Sequence, residues 1–315
     1  MEIQKYEDWM RPQIVALFNL EYGSDVQQFD EFFERFYEHP FQQKQGIRIV
    51  AVDGDKVAGF QSFFYWPVMV KGIKTHSFQS GNSLVHPNYR GKGLFGKMLN
   101  YIHLPESSVH HDLLIGFPVD ASYPAFIKNK WLNPFDLQWY LKTMNPVLSL
   151  LANPEKSLTL AFGKPTSAKA DSDQSLIYVS QTAAYDEYRF GYQKGDYYRF
   201  TYKNGNDEVF FELKAQRRKK IIKELIIGKI IPSRSESALV SAAIKELIRV
   251  IKKHSNFTIL SVAINSLSED LKQGVLQNRF KKIDKKIHFI AKGKLADDAK
   301  DWSKWWMFRA DIDTW

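Results

Sequence analysis

The chain has 315 residues, 44 basic against 35 acidic side chains for a net charge of +9, and no cysteine. Hydrophobic residues make up 44% and aromatic residues 15%, which excludes a disordered chain and suits one large domain or two ordinary ones. Without cysteine, disulfides, thiolate metal sites and covalent thiol catalysis are excluded together, and no metal-ligand spacing is visible elsewhere.

Met1 to Met10 is too polar for a secretory signal, and no apolar run approaches a membrane span, so a cytoplasmic protein is expected. Pro12 to Glu21 and Asp25 to Tyr37 carry apolar residues at helical spacing (Ile14, Leu17, Phe18; Phe29, Phe32, Phe33, Phe36). Ile47 to Val52 and Lys56 to Tyr65 read as a hairpin about Asp53-Gly54-Asp55, whose acids are turn residues. A further strand pair surrounds Lys71-Gly72. The strand His76 to Val85 then leads into a glycine-rich basic loop, and Gly93 to Ile102 reads as an amphipathic helix. Leu113 to Phe117 is a buried-type strand, Tyr123 to Lys130 a short helix, and Phe135 to Leu141 another strand.

Asn145 to Ser172 is polar, contains Pro154 and Pro165, and reads as a connection with a short helix. The tyrosine-dense stretch Tyr178 to Phe211 predicts a meander of strands turning at Asn204-Gly205-Asn206. Asp207 to Leu213 and Ile221 to Ile231 add strands, and the basic run Lys214 to Lys220 reads as a solvated strand edge or hairpin. Ser235 to Lys253 is an amphipathic helix (Leu239, Ala243, Leu247, Val250, Ile251). The strand Phe257 to Ala263, a helix from Ser266 to Asn278, the strand Lys286 to Ala291 and an aromatic tail (Trp302, Trp305, Trp306, Phe308, Trp315) complete the chain.

The loop carries the functional signal. Backbone N–H groups at a helix start are unpaired and the helix dipole favours an anion there. Gly91, Gly93 and Gly96 let a phosphate approach, while Arg90, Lys92 and Lys97 add positive charge, so Arg90 to Lys97 reads as a phosphate-binding loop. The glycines spell G-x-G-x-x-G, but five residues, His86 to Arg90, separate them from their strand, and Asp112 stands at the wrong end of the next one. Gly91 to Lys97 also approaches a P-loop, yet Met98 takes the place of the magnesium-binding hydroxyl.

Val85-x-Pro87-x-x-Arg90-Gly91-x-Gly93-Leu94-Phe95, followed by an apolar helix, resembles the coenzyme A loop of the GNAT superfamily of acyl-CoA N-acyltransferases, whose pattern is Q/R-x-x-G-x-G/A. The resemblance implies a mixed α/β (α+β) fold, a mostly antiparallel sheet flanked by helices. It implies that acetyl-CoA is held by Leu84 and Val85, whose backbone would pair with pantetheine, and by Arg90, Gly91, Lys92, Gly93, Leu94, Phe95, Gly96 and Lys97. The strand–helix–strand–helix–strand order of the second half repeats the first without its glycine loop. With the aromatic tail and its Asp311-x-Asp313-Thr314, it resembles bacterial acyltransferases built from two GNAT-like lobes, among them proteins of surface-polysaccharide pathways and Fem-type aminoacyltransferases. Residues 1–145 are then the acetyl-CoA lobe, 146–172 the connection and 173–315 a second GNAT-like lobe on the acceptor side.

The family reaction implied is direct attack of a primary amine, with an amino sugar as one acceptor, on a thioester polarised by the Val85 N–H. The family's acid is a tyrosine within N-x-x-A-x-x-x-Y-x-K-x-G-F. Aligning Trp131 with the last aromatic puts Phe126 at the tyrosine and Val119 at the asparagine, so Tyr123, one turn earlier, is the candidate acid ahead of Ser122. No carboxylate stands on the strand Ser77 to Val85; His76, His110 and His111 are the nearby imidazoles, and the second lobe could supply a base across a cleft. A Fem-type enzyme using aminoacyl-tRNA, the one reading with a nucleic-acid partner, would also explain the net charge. A non-catalytic coenzyme A-binding module is the remaining alternative.

Overall fold

The computed structural model describes residues 1–23, 26–144, 173–180, 182–191, 196–218 and 222–315, so the expected connection at 146–172 lies outside the described residues. The chain begins β1 (Glu2–Lys5), α1 (Arg11–Tyr22), α2 (Val26–Tyr37), α3 (Pro40–Gln43), β2 (Ile47–Asp53), β3 (Lys56–Tyr65), β4 (Val68–Val70), β5 (Ile73–Lys74) and β6 (Ser77–Val85). Next come α4 (Leu94–Tyr101), β7 (Leu113–Gly116), α5 (Tyr123–Lys128) and β8 (Leu132–Thr143). It continues through β9 (Tyr178–Val179), α6 (Ala183–Gly191), β10 (Asp196–Asn204), β11 (Asp207–Arg218), β12 (Ile222–Pro232), α7 (Ser237–His254), β13 (Ile259–Asn265), α8 (Glu269–Gln277), β14 (Lys281–Lys292) and α9 (Lys294–Asp297).

Eleven strands form one mixed, mostly antiparallel sheet in the order β1-β2-β3-β6-β7-β14-β8-β13-β12-β11-β10. The parallel pairs are β6–β7 and β12–β13, because α4 and α7 carry the chain back across the sheet between them. These helices form where the apolar spacing requires them: α4 buries Leu94, Met98 and Leu99, and α7 buries Leu239, Val240, Ala243, Ile244, Leu247, Ile248 and Ile251. The unit β6-α4-β7-α5-β8 recurs as β12-α7-β13-α8-β14 with one exchange. β14 lies between β7 and β8, with Ile290 opposite Gly116 and Phe289 opposite Phe135, while β8 pairs on its other side with β13.

Two segments depart from their expected form, and a third, the tail, has its place fixed by packing. The tyrosine-rich stretch after β9 contains the helix α6, because Tyr185 and Tyr188 are three apart and bury one face against Trp66 and Phe41. The basic run is not a sheet edge, since β11 has β10 on one side and β12 on the other; Lys214 to Arg218 end the β11 arm of the antiparallel β11–β12 pair, in line with the hairpin reading. Its Arg218 instead meets Glu224, a carboxylate with no exposed surface, through an Nη2–Oε1 bond of 2.6 Å. The aromatic tail is core, with Trp305, Trp306, Phe308 and Trp315 all buried. Trp315 closes on Gly228, where an added Cβ would stand 2.3 Å from the indole. Its Nε1 donates to Glu212 at 3.1 Å, and its carbonyl accepts from the Tyr197 hydroxyl at 2.8 Å.

Candidate active site

The site begins where two parallel strands part. β6 pairs with β7 only from Ser77 to Ser80, against Leu113 to Gly116. β7 stops there because Pro118, two residues on, has no N–H to extend the ladder. β6 runs on to Val85, and on that side no described strand pairs with residues 81–85. Here β6 also bulges: Asn82 and Ser83 stand opposite Gln61 between the pairs Gly81–Ser62 and Leu84–Phe60, and Asn82 has φ 50°. Side chains brace the bulge. Ser83 Oγ donates to Gln61 Oε1 at 2.5 Å, and Asn82 Nδ2 donates to the Tyr37 hydroxyl at 2.7 Å. Burial raises the Tyr37 pKa well above the ordinary tyrosine value, so that hydroxyl stays protonated.

A cleft of about 600 Å3 opens at this parting. Its walls are residues 80–85 of β6, Phe95 of α4, the segment Phe117 to Ser122, and Ala125 and Phe126 of α5. Glu21 and Tyr22 at the end of α1, and Ile312, Asp313 and Thr314 of the tail, close the opposite side. A second recess of about 630 Å3 shares Phe95 and Ala125 with the cleft and continues past Gly93, Gly96, Lys97, Asn100, Lys128 and Asn129.

The loop between β6 and α4 holds the residues singled out in the sequence. Gly91 and Gly93 have φ of 77° and 71°, in the left-handed region where a Cβ is strained, and no heavy atom would lie within 4 Å of one added there. Gly93 caps α4, leaving the first helical N–H groups directed outward. Arg90 is exposed, donates from Nε to Val85 O at 3.1 Å and pairs from Nη2 with Glu21 at 2.5 Å. Lys92 stands 4.9 Å over the Tyr89 ring, and Lys97 lines the recess. Leu84 and Leu94 are both buried, Leu84 lines the cleft, and Phe95 packs edge-on to Phe126 at 5.3 Å.

Tyr123 stands apart from this group. It is not among the residues lining the cleft; its hydroxyl donates to Asn133 Oδ1 at 2.9 Å and its ring stacks on His288 at 4.1 Å. His288 meets Asp136 at 2.9 Å, which also holds Lys286 at 2.9 Å. Burial favours the neutral Asp136 carboxyl, yet bonds from Lys286, His288 and Asn133 outweigh it and hold its pKa below the ordinary value. His76 and His110 lie at the start of β6, where His76 Nδ1 is 2.7 Å from His110 O, at the end opposite the cleft. Among the described residues, no cluster of three or more His, Asp or Glu could hold a metal, and no helix is long and apolar enough to cross a membrane.

Asp313, absent from the sequence-based site, is brought to the cleft by the tail. The tail backbone is pinned by Arg189 of α6, whose guanidinium donates to the carbonyls of Ala310, Ile312 and Asp313 at 3.3, 2.6 and 3.2 Å. Trp66 Nε1 donates to Asp311 O at 2.8 Å, and Asp313 N donates to Gln79 Oε1 at 3.2 Å. The only sequence sign was the Asp311-x-Asp313-Thr314 pattern, whose position in space depends on contacts hundreds of residues apart.

Residues 2–128 match the family described as an acetyltransferase (GNAT) domain. No curated protein matches the chain in sequence. Among solved structures, a GCN5-related N-acetyltransferase from Anabaena variabilis is similar over 92% of this chain and 72% of its own, with 10% identity and a TM-score of 0.62. One from Kribbella flavida covers 94% and 72%, with 9% identity and a TM-score of 0.57. Saccharomyces cerevisiae N-myristoyltransferase with bound myristoyl-CoA covers 99% and 84%, with 12% identity and a TM-score of 0.50.

Proposed function

We propose that this chain, whose residues 2–128 match the acetyltransferase (GNAT) domain, moves an acetyl group from acetyl-CoA to a primary amine by direct attack, in the cytoplasm. The observation that carries this reading is the edge of β6 at residues 81–85, unpaired by any described strand, which ends at a glycine loop capping α4. An extended pantetheine can add to that edge as a further strand would, through the backbone of Leu84 and Val85. The loop amides and Arg90 then meet the pyrophosphate, and Lys97 and Lys128 in the adjoining recess suit the remaining phosphate. Bound myristoyl-CoA in the similar yeast enzyme supports a coenzyme A thioester as donor.

The acceptor enters from the tail side, between α1 and residues 312–314, where Tyr22, Asn82, Ser83 and Thr314 offer hydroxyl and amide groups. That lining suits a polar amine such as an amino sugar. Calorimetric titration with acetyl-CoA, with NADH and Mg-ATP as controls, tests the donor. Micromolar binding of acetyl-CoA alone is expected; preference for either control would overturn the reading.

A further inference from the structure

Building on the acyltransferase reading, we infer that the Asp313 carboxylate receives the acceptor's ammonium group and takes its proton, so the acceptors are cationic primary amines. An alkyl amine is protonated at neutral pH, and attack needs its lone pair. β6 offers no base, since Ser77 to Val85 contains neither carboxylate nor imidazole. Among the described residues lining the cleft, Glu21 and Asp313 are the carboxylates; Glu21 sits on the glycine-loop side, beside Arg90 at 2.5 Å, and Asp313 sits against β6.

Asp313 lies on the reacting side. An added Cβ on Gly81 would stand 2.9 Å from Asp313 Oδ2, so the carboxylate rests directly against the bulged stretch of β6, where only a glycine leaves it room. The bonds from Arg189 and to Gln79 fix the backbone on both sides of this side chain, the positioning a proton acceptor requires. Charged and titratable groups approach from every side: Arg189 of α6, Arg309 of the tail, Tyr22 of α1 and Tyr37 of α2. Burial is the largest influence and raises the carboxyl's pKa, while Arg189 and Arg309 oppose it, which makes it a stronger base than an exposed aspartate.

In the step, the ammonium gives one proton to Asp313 Oδ2. The freed nitrogen lone pair attacks the thioester carbonyl carbon, and the C–N bond forms while the C–S bond breaks. The second nitrogen proton passes to the departing thiolate, leaving the amide and free thiol, and Asp313 later returns its proton to water.

The test uses the full chain with putrescine and glucosamine as acceptors, comparing wild type, Asp313→Asn and Asp313→Glu. Asp313→Asn should bind acetyl-CoA within about twofold of wild type while kcat/KM at pH 7 falls about a hundredfold or more. The loss should shrink as pH rises and free amine becomes abundant, and should be greater for the more basic putrescine. Asp313→Glu, which keeps the carboxylate, should retain kcat/KM within about tenfold. An Asn variant with wild-type kinetics overturns the inference, as does a loss that is flat in pH and equal for both amines. Should the Asn variant fail to fold, a folded Glu variant without turnover overturns it. Wild-type protein that binds acetyl-CoA but acetylates neither amine also overturns it, whereas no binding of acetyl-CoA removes the acyltransferase reading itself.

Discussion

Replacing Lys229 with methionine should destabilise the protein strongly, by an amount that grows with pH. Lys229 Nζ lies 2.5 Å from Asp311 Oδ1, with side chains 3% and 0% exposed. Its partner across the β11–β12 ladder is Glu212, also buried, so Lys229 stands between two carboxylates that Arg189 also opposes. Burial raises the pKa of both acids, and Lys229 is the first charge opposing it in each case. Breaking a buried pair costs about 3–5 kcal/mol, and a second buried carboxylate that loses its leading cation puts Lys229→Met in the upper part of that range. That is a large share of a total stability of about 5–15 kcal/mol. A carboxyl whose folded pKa is raised contributes stability that is fully present below its unfolded pKa, about 3.9 for Asp and 4.3 for Glu, and lost as pH rises through the folded value. Without Lys229 both folded values climb further. The gap between variant and wild type should therefore be small near pH 4 and widest at pH 7 to 8, growing by at most about 1.4 kcal/mol per pH unit per carboxyl. Urea unfolding followed by tryptophan fluorescence at several pH values reads it directly. A pH-independent gap, or one below about 1 kcal/mol at pH 7, would refute the reasoning.

Two further substitutions separate binding from architecture. Arg90→Ala removes an exposed ion pair and one bond to Val85 O, so stability should change by less than about 1 kcal/mol. Losing its charge-assisted contact to the pyrophosphate should weaken acetyl-CoA binding about ten- to hundredfold by calorimetry, and unchanged affinity would remove Arg90 from the site. Tyr123→Phe should cost about 1 kcal/mol of stability through the lost bond to Asn133 and leave turnover within about threefold. A loss of a hundredfold or more in kcat, with acetyl-CoA affinity intact, would instead make Tyr123 the acid.

Legibility in the sequence followed the range of the interactions. The Arg90–Lys97 loop was readable because turn chemistry, glycine conformation and charge act within a few residues, and the same holds for α4, α7 and most strands. The helix α6 was not, since tyrosines favour strands by propensity and only burial against Trp66 and Phe41 reveals the three-residue spacing. The interior place of β11 and the buried tail depend on partners far along the chain. The tail side of the cleft was hidden for the same reason: Asp313 meets Gln79 and Arg189 at sequence separations no local pattern encodes.

The exchange of β14 into the first half of the sheet has a consequence during synthesis. Between the emergence of Gly116 and of its partner Ile290 the ribosome adds well over a hundred residues, roughly ten to thirty-five seconds of elongation at about 5–20 residues per second. For that interval β7, whose four residues are all buried in the finished fold, presents an apolar unpaired edge. Non-local pairing of this kind folds slowly, and such an edge is a natural client for a chaperone that holds strands apart. The nascent chain can therefore display its glycine loop early, yet the sheet beside the cleft closes only once β14 has been made.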